Sequence, residues 1–156
     1  MKKIVTLTGQ IDSKRDWVAR KLEKNSDVEY VFPYVGIDLP MSADLTAFHE
    51  YHVVLPQELE IMMRHERVLY STTINDTMYV FFEFQMKEPF SVVVVDDDGV
   101  FQLRENWDGE IYSIYVKSKS QKDGGRSGKL MKPQDFDEIF DADIGDLDEL
   151  EARIYV

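Results

Sequence analysis

The sequence predicts an α/β protein that is built on a parallel sheet and carries a small β-rich subdomain. An apolar stretch, a glycine and a charged stretch follow one another over residues 3–16, the order expected of a strand, a turn and a helix start. Four consecutive valines at residues 92–95 are typical of a central strand that is covered on both faces. Residues 68–74 and 78–85 are β-rich runs separated by three residues, which predicts an antiparallel hairpin.

The first part of the chain is predicted to alternate strand, helix and strand. Strands are expected at residues 4–7 and 28–32, with a helix at residues 14–24 between them. Trp17, Val18 and Leu22 form the apolar side of that helix. Glycine, proline and scattered acids predict that residues 34–50 are mainly loop.

The middle of the chain contains a second predicted helix at residues 56–65, after a short extended stretch at residues 51–55. Pro56 stands in its first turn, where proline is favoured, and Leu59, Met62 and Met63 are expected to face inward.

After the valine run, the sequence allows a hairpin that turns at Asp98 and Gly99, or a helix. The helix is preferred because Val100, Leu103 and Trp107 fall at i, i+3 and i+7. Residues 110–116 are then expected to return as a parallel strand. A closing strand or turn is predicted at residues 133–140 and a final helix at residues 145–153.

Composition limits the classes of function. The 156 residues are enough for one domain, and the absence of cysteine excludes disulfides, thiolate catalysis and a cysteine-based zinc site. A net charge of −12 argues against general binding to nucleic acid or to an anionic membrane. With no signal peptide and no long apolar run, we expect a soluble, cytoplasmic protein.

The charge is unevenly distributed. Residues 117–132 contain six basic side chains and a single acid, a local charge of +5, so the remainder of the chain carries −17. We expect this segment to be a mobile basic loop, and Arg126 and Lys129 within it are candidate ligands for a phosphate. The segment 124–129, GGRSGK, is too short for a second phosphate loop.

The turn after the first strand is a degenerate form of the phosphate-binding motif GxxxxGK[ST], or Walker A loop. That motif closes backbone N–H groups, a lysine and a metal-holding hydroxyl around phosphates. Counted from Gly9, Lys14 stands at the second glycine, Arg15 at the lysine and Asp16 at the Ser/Thr. The alternative is an ordinary strand-to-helix turn that is capped by Asp12 or Ser13.

The order of these segments resembles the guanylate kinase family. Residues 51–79, YHVVLPQELEIMMRHERVLYSTTINDTMY, are similar without a gap to the family's YHFV, helix, LEWA and NYYG region. VVVVDDDG resembles the strand LLDID, and FDEIFDADIGDLDELEARI resembles the FDYVIVND stretch and final helix. The likeness spans nearly the whole chain.

The resemblance implies a three-layer P-loop-kinase-like parallel sheet, a β-rich subdomain for the nucleoside monophosphate and a lid. Residues 1–32 and 91–156 would form the core, 33–90 the subdomain and 117–132 the basic lid-like loop. In the family, a phosphoryl group passes from ATP to GMP with Mg²⁺.

The resemblance also implies roles for particular residues. Tyr51 and Tyr79 match the tyrosines that bind the GMP phosphate, and Asp96 and Asp98 match the acids that close the central strand. Arg15 and Asp96 are the candidate catalytic residues. The candidates for nucleotide or phosphate binding are Gly9, Lys14, Tyr51, Tyr79, Asp98, Arg126 and Lys129, and we expect no metal site of the chain's own.

Several family features are missing. No Arg or Lys stands between Asn25 and Arg64, where the family clamps the GMP phosphate, and Tyr70 replaces the glutamate that reads the base. Phosphoryl transfer depends on positioning and on cations that neutralise the developing charge. We therefore expect phosphoryl transfer to be reduced by many orders of magnitude.

Three functions fit these observations. The first is a degenerate guanylate-kinase-like pseudoenzyme that binds a nucleotide, a phosphate ligand or a protein partner without efficient catalysis. The second is a nucleotide kinase with altered substrate or phosphate-binding residues, which would need ATP and Mg²⁺. The third is an acidic protein that acts by charge on a basic partner.

Overall fold

The computed structural model describes residues 2–9, 14–38, 51–87, 89–119 and 131–155. The chain divides into two compact units, one made of Met1–Tyr30 with Lys87–Val156 and the other of Val31–Met86. Within the described residues the strands are β1 (Lys3–Thr8), β2 (Val28–Tyr30), β3 (Tyr34–Gly36), β4 (His52–Val54), β5 (Val68–Ile74), β6 (Thr77–Phe82), β7 (Phe90–Val94), β8 (Glu110–Lys117) and β9 (Glu138–Asp141). The α-helices are α1 (Arg15–Leu22), α2 (Pro56–His65), α3 (Asp97–Asn106) and α4 (Leu147–Ile154).

The first unit contains a five-stranded sheet in the order β2-β7-β1-β8-β9, and all its neighbouring strands are parallel. Val92 and Val93 in β7 are fully buried, as expected of a strand with helices on both faces. The prediction of a parallel central sheet is therefore confirmed.

Two crossovers leave the middle of this sheet in opposite directions. The chain passes from β1 through α1 to β2 on one side, and from β7 through α3 to β8 on the other. Because such crossovers are right-handed, α1 and α3 lie on opposite faces, and the unit has three layers. Val18 and Leu22 of α1, and Val100 and Leu103 of α3, are buried on those faces.

The second unit contains a four-stranded sheet in the order β4-β3-β6-β5. Strands β5 and β6 form the predicted antiparallel hairpin, and their turn residues Asn75 and Asp76 both have positive φ, as the mirror-image hairpin turns require. Helix α2 has the predicted bounds and covers one face of the sheet, where Leu59 packs with Val80 and Phe82.

Two details of the prediction were wrong. Residues 34–36 form strand β3, which pairs with β4 and β6, in a passage predicted as loop. Trp17 is 42% exposed, and Ala19 instead completes the buried side of α1. The helix preferred after the valine run is present as α3, which begins at Asp97 because Asp96 caps it.

Candidate functional site

The candidate site lies where β1 and β7 end side by side. The crossovers after these two strands diverge, and in open α/β sheets ligands bind at such a switch point, outside the carboxyl ends of the strands. The N–H of Val95 donates to the carbonyl of Leu7 at 3.1 Å. The chain therefore leaves the two strands at neighbouring points, with Gly9 just after β1 and Asp96 just after β7. Gly9, which opens the predicted phosphate loop, and the acidic end of β7 therefore lie at the same end of the sheet.

The backbone at Lys14 keeps a conformation that suits the glycine of the motif. Lys14 precedes α1 with φ of 69°, in the left-handed region, and its side chain makes no capping bond to the helix. That region costs a non-glycine residue about 1–2 kcal/mol. The predicted capping residues Asp12 and Ser13 lie outside the described residues.

Arg15 is bonded to the start of its own loop. Its Nη1 donates to the carbonyl oxygen of Gly9 at 2.9 Å, so the guanidinium joins the two described ends of the turn. The structure thus brings together Gly9, a candidate for phosphate binding, and Arg15, a candidate catalytic residue.

Asp16 stands at the position of the metal-holding hydroxyl and is bonded to the neighbouring strand. The hydroxyl of Tyr30 in β2 donates to its Oδ1 at 3.1 Å. Burial of Tyr30, together with the negative charge of Asp16, raises the pKa of the tyrosine. The carboxylate therefore fastens α1 to β2.

The ammonium of Lys14 is directed to a different segment. Its Nζ lies 2.9 Å from Oδ1 of Asp143, in the turn between β9 and α4. Asp143 also accepts hydrogen bonds from Ser118 Oγ, at 3.2 Å, and from the backbone N–H of Lys119. The bonds from Lys119 and Lys14 lower the pKa of Asp143 to about 2, so this carboxylate is charged at neutral pH.

The acids after β7 serve mainly to start α3. Asp96 is its N-cap residue and accepts from the N–H of Gly99 at 2.8 Å, while Asp98 accepts from Nε2 of Gln102 at 2.8 Å. Asp97, which is not among the candidate residues predicted from the sequence, is only 4% exposed and accepts from the N–H of Met131 at 3.2 Å. In the sequence, Asp97 is one of three consecutive acids typical of a solvated turn, so its burial is visible only in the structure.

The two tyrosines assigned to phosphate binding lie together in the second unit. Their ring centroids are 5.8 Å apart, with the planes inclined by 60°. Tyr79 stands in β6 opposite Val35 and Thr72, and since strand side chains alternate, it points away from the face that α2 covers. Tyr51 is 38% exposed, so this pair is accessible from solvent.

Tyr70, which stands where the family reads its base with a glutamate, is buried. It lies on the same sheet face as Tyr79, because its partner in β6 is Phe81. The ring centroids of Tyr70 and Phe81 are 6.0 Å apart, and both side chains are almost fully enclosed. This part of the face is therefore aromatic.

The remaining candidates, Arg126 and Lys129, lie outside the described residues. The two described flanks of their segment are anchored on acids: Ser118 and Lys119 bond Asp143, and Met131 bonds Asp97. Lys117 and Lys132, the basic residues that bound the segment, are exposed.

The described residues contain neither a cluster of metal ligands nor a membrane-spanning helix. In the described ranges, no three or more His, Asp or Glu side chains are grouped so that they could hold a metal ion. Asp16 and Asp96 have the protein partners given above, which fits poorly with a Mg²⁺ site built as in the Walker motif. None of the described helices is long and apolar enough to span a bilayer.

Comparison by sequence finds no protein-family model and no curated protein that match the chain. Comparison by structure finds the crystal structure of guanylate kinase from Anaplasma phagocytophilum, at a TM-score of 0.60 and 13% sequence identity. The match covers 99% of this chain and 82% of that one. At this identity the similarity concerns the fold alone, and the chain therefore has a guanylate-kinase-like fold.

Proposed function

We propose that the chain is a guanylate-kinase-like binding module in which phosphoryl transfer is absent or very weak. The observation that carries this proposal is that both cations of the loop are bonded within the protein, Arg15 to Gly9 and Lys14 to Asp143. A phosphate that recruited either cation would have to break a charge-assisted hydrogen bond, worth about 1.5–3 kcal/mol.

The proposal follows from what phosphoryl transfer requires. Its transition state is stabilised by cations and by a metal on the phosphate oxygens, and each 1.36 kcal/mol of lost stabilisation slows the reaction about tenfold. Asp16 replaces the metal-holding hydroxyl and adds negative charge beside the loop. Several such losses combine, so the rate falls by many orders of magnitude.

Binding is assigned to the pair formed by the exposed Tyr51 and the partly buried Tyr79. The rings of Tyr51 and Tyr79 offer apolar area, and the hydroxyl of Tyr79 can donate to a phosphate or to a peptide carbonyl. We propose a nucleotide, a phosphate ligand or a protein segment as the ligand of this pair.

Isothermal titration calorimetry with GMP, ATP and Mg²⁺, joined to a coupled kinase assay, tests the proposal. We expect no turnover above background from the wild type. Where the wild type binds a nucleotide or recovers a protein in a pull-down, we expect Tyr79→Ala to lose that binding. Tyr79→Phe keeps the ring against Tyr51 and removes only the hydroxyl, so binding that depends on the ring should survive in it and binding that depends on the hydroxyl should be lost. Turnover that Arg15→Ala abolishes would overturn the proposal.

The second candidate is a kinase with altered phosphate-binding residues, favoured by a guanylate-kinase-like fold that extends over 99% of the chain. It would use Arg15, Asp96 and Asp98 with the basic residues Arg126 and Lys129, and it would require ATP and Mg²⁺. Binding of both nucleotides with measurable turnover is its expected signature. Binding of a basic partner that weakens steeply with salt and ignores Tyr79 would instead indicate a protein that acts by charge.

A further inference from the structure

The carboxylate of Asp143 accepts from three donors that belong to two other segments of the chain. The donors are Nζ of Lys14, Oγ of Ser118 and the backbone N–H of Lys119. Lys14 stands just before α1, Ser118 and Lys119 follow β8, and Asp143 itself follows β9. The Asp143 side chain is 18% exposed and that of Lys14 is 44% exposed, so solvent reaches the cluster from the Lys14 side.

The donors have the chemistry of an anion site. An ammonium, a hydroxyl and a backbone N–H are groups that proteins use to hold phosphate oxygens, and a carboxylate presents oxygens of similar charge and reach. The donors also lie beyond the carboxyl ends of parallel strands, which is where open α/β sheets bind ligands.

We propose that Lys14, Ser118 and the Lys119 N–H form a binding site for a phosphate group, and that Asp143 occupies this site as a built-in competitor. The inference rests on the proposed function, since it names the ligand class and the regulation of the same loop. A phosphate binds by displacing the carboxylate, so the wild type binds it weakly. A change that withdraws Asp143 exposes all three donors together.

Titration of Asp143→Asn with inorganic pyrophosphate tests the inference. Asparagine keeps the size of the side chain and removes the competing charge, so we expect pyrophosphate to bind at least tenfold more tightly than to the wild type. Lys14→Gln added to Asp143→Asn should return the affinity to the wild-type level. Asp76→Asn makes the same change of net charge in the exposed hairpin turn, at a positive φ that asparagine tolerates, and should leave the affinity unchanged.

ATP provides the second arm of the titration. A gain for pyrophosphate and ATP alike supports a site for the phosphate group itself, and a gain for ATP alone supports a site for a nucleotide phosphate. Equal affinity of wild type and Asp143→Asn for both probes overturns the inference.

A measurement on the wild type keeps the inference testable if Asp143→Asn does not fold. In ¹⁵N-labelled protein, pyrophosphate should shift the Lys119 amide resonance, and chloride at the same ionic strength should not. The shift should be lost in Lys14→Gln, and a Lys119 resonance that pyrophosphate leaves in place overturns the inference. Kinase turnover by the wild type would contradict the proposed function and would leave these anion-binding results unaffected.

Discussion

At the scale of single residues, Glu138 is a charged side chain with several bonds away from the candidate site. It begins β9, is 10% exposed, and accepts from Nε and Nη2 of Arg153 and from the hydroxyl of Tyr112. Burial raises the pKa of Glu138, but the bonds from Arg153 and Tyr112 outweigh it and leave the pKa below its ordinary value. Burial and the bond to Glu138 raise the pKa of Tyr112 to about 12.

We expect Glu138→Gln to lower the free energy of unfolding by about 1–2 kcal/mol at pH 7, since Arg153 is half-exposed and its pairing is partly screened. A carboxyl whose pKa is depressed by folding stabilises the protein above its unfolded pKa, near 4.5. That stabilisation is lost as the pH falls through the lower, folded pKa. Urea denaturation at a series of pH values should show the wild type and the variant converging below about pH 4.5.

The control is Glu29→Gln, which removes the charge of an exposed glutamate in β2. Its stability should follow that of the wild type at every pH. A gap between wild type and Glu138→Gln that is the same at pH 7 and at pH 3 would show that the charge of Glu138 does not stabilise the fold.

The candidate site shows what a sequence reveals about single residues. Lys14 and Arg15 could be selected because they occupy motif positions, and Asp96 because it ends an apolar strand. Their partners could not be foreseen, because the carbonyl of Gly9 and the carboxylate of Asp143 are brought to them by the turn and by the alignment of parallel strands. Asp143 lies 129 residues from Lys14, and no local pattern joins them.

At the scale of elements, the helices were more predictable than the short strands. Helix α2 has its predicted bounds because Pro56 and the inward-facing Leu59 are local signals. Strand β3 has three residues and includes Gly36, and it exists because β4 and β6 pair with it from elsewhere in the chain. Strand propensity of this kind depends on neighbours that the local sequence does not contain.

Gly99 gives an element-scale prediction for the start of α3. A glycine inside a helix is about 1 kcal/mol less favourable than alanine, so Gly99→Ala would ordinarily stabilise the protein. Here an added Cβ would lie 2.6 Å from Cβ of Val95, a contact that requires the backbone to shift. We therefore expect Gly99→Ala to lower the free energy of unfolding by about 1–3 kcal/mol in urea denaturation.

Alanine elsewhere in α3 is the control for this substitution. Glu105 is exposed in the last turn of the helix, and Glu105→Ala should leave stability unchanged or raise it slightly. If Gly99→Ala is as stable as Glu105→Ala, helix α3 has room to move away from β7, and the close approach of the two elements is not required by the fold.

At the scale of the whole molecule, each of the two compact units has buried leucine side chains of its own. In the second unit, Leu59 packs on Val80 and Phe82, whereas Leu103 of α3 is fully buried in the first unit. Truncation of a buried leucine to alanine costs about 2–5 kcal/mol, and proteins open in cooperative parts that often follow such structural divisions.

Paired core truncations should therefore separate the two units in native-state hydrogen exchange. We expect Leu59→Ala to speed exchange of the amides in β5 and β6 while those of β1, β7 and β8 keep their wild-type rates, and Leu103→Ala to do the reverse. Each variant is the control for the other, because both remove the same atoms from a buried site. If either variant speeds exchange equally in both sets of amides, the expectation is wrong. Loss of core packing in one unit would then destabilise both units to the same extent, and the two sheets would open together.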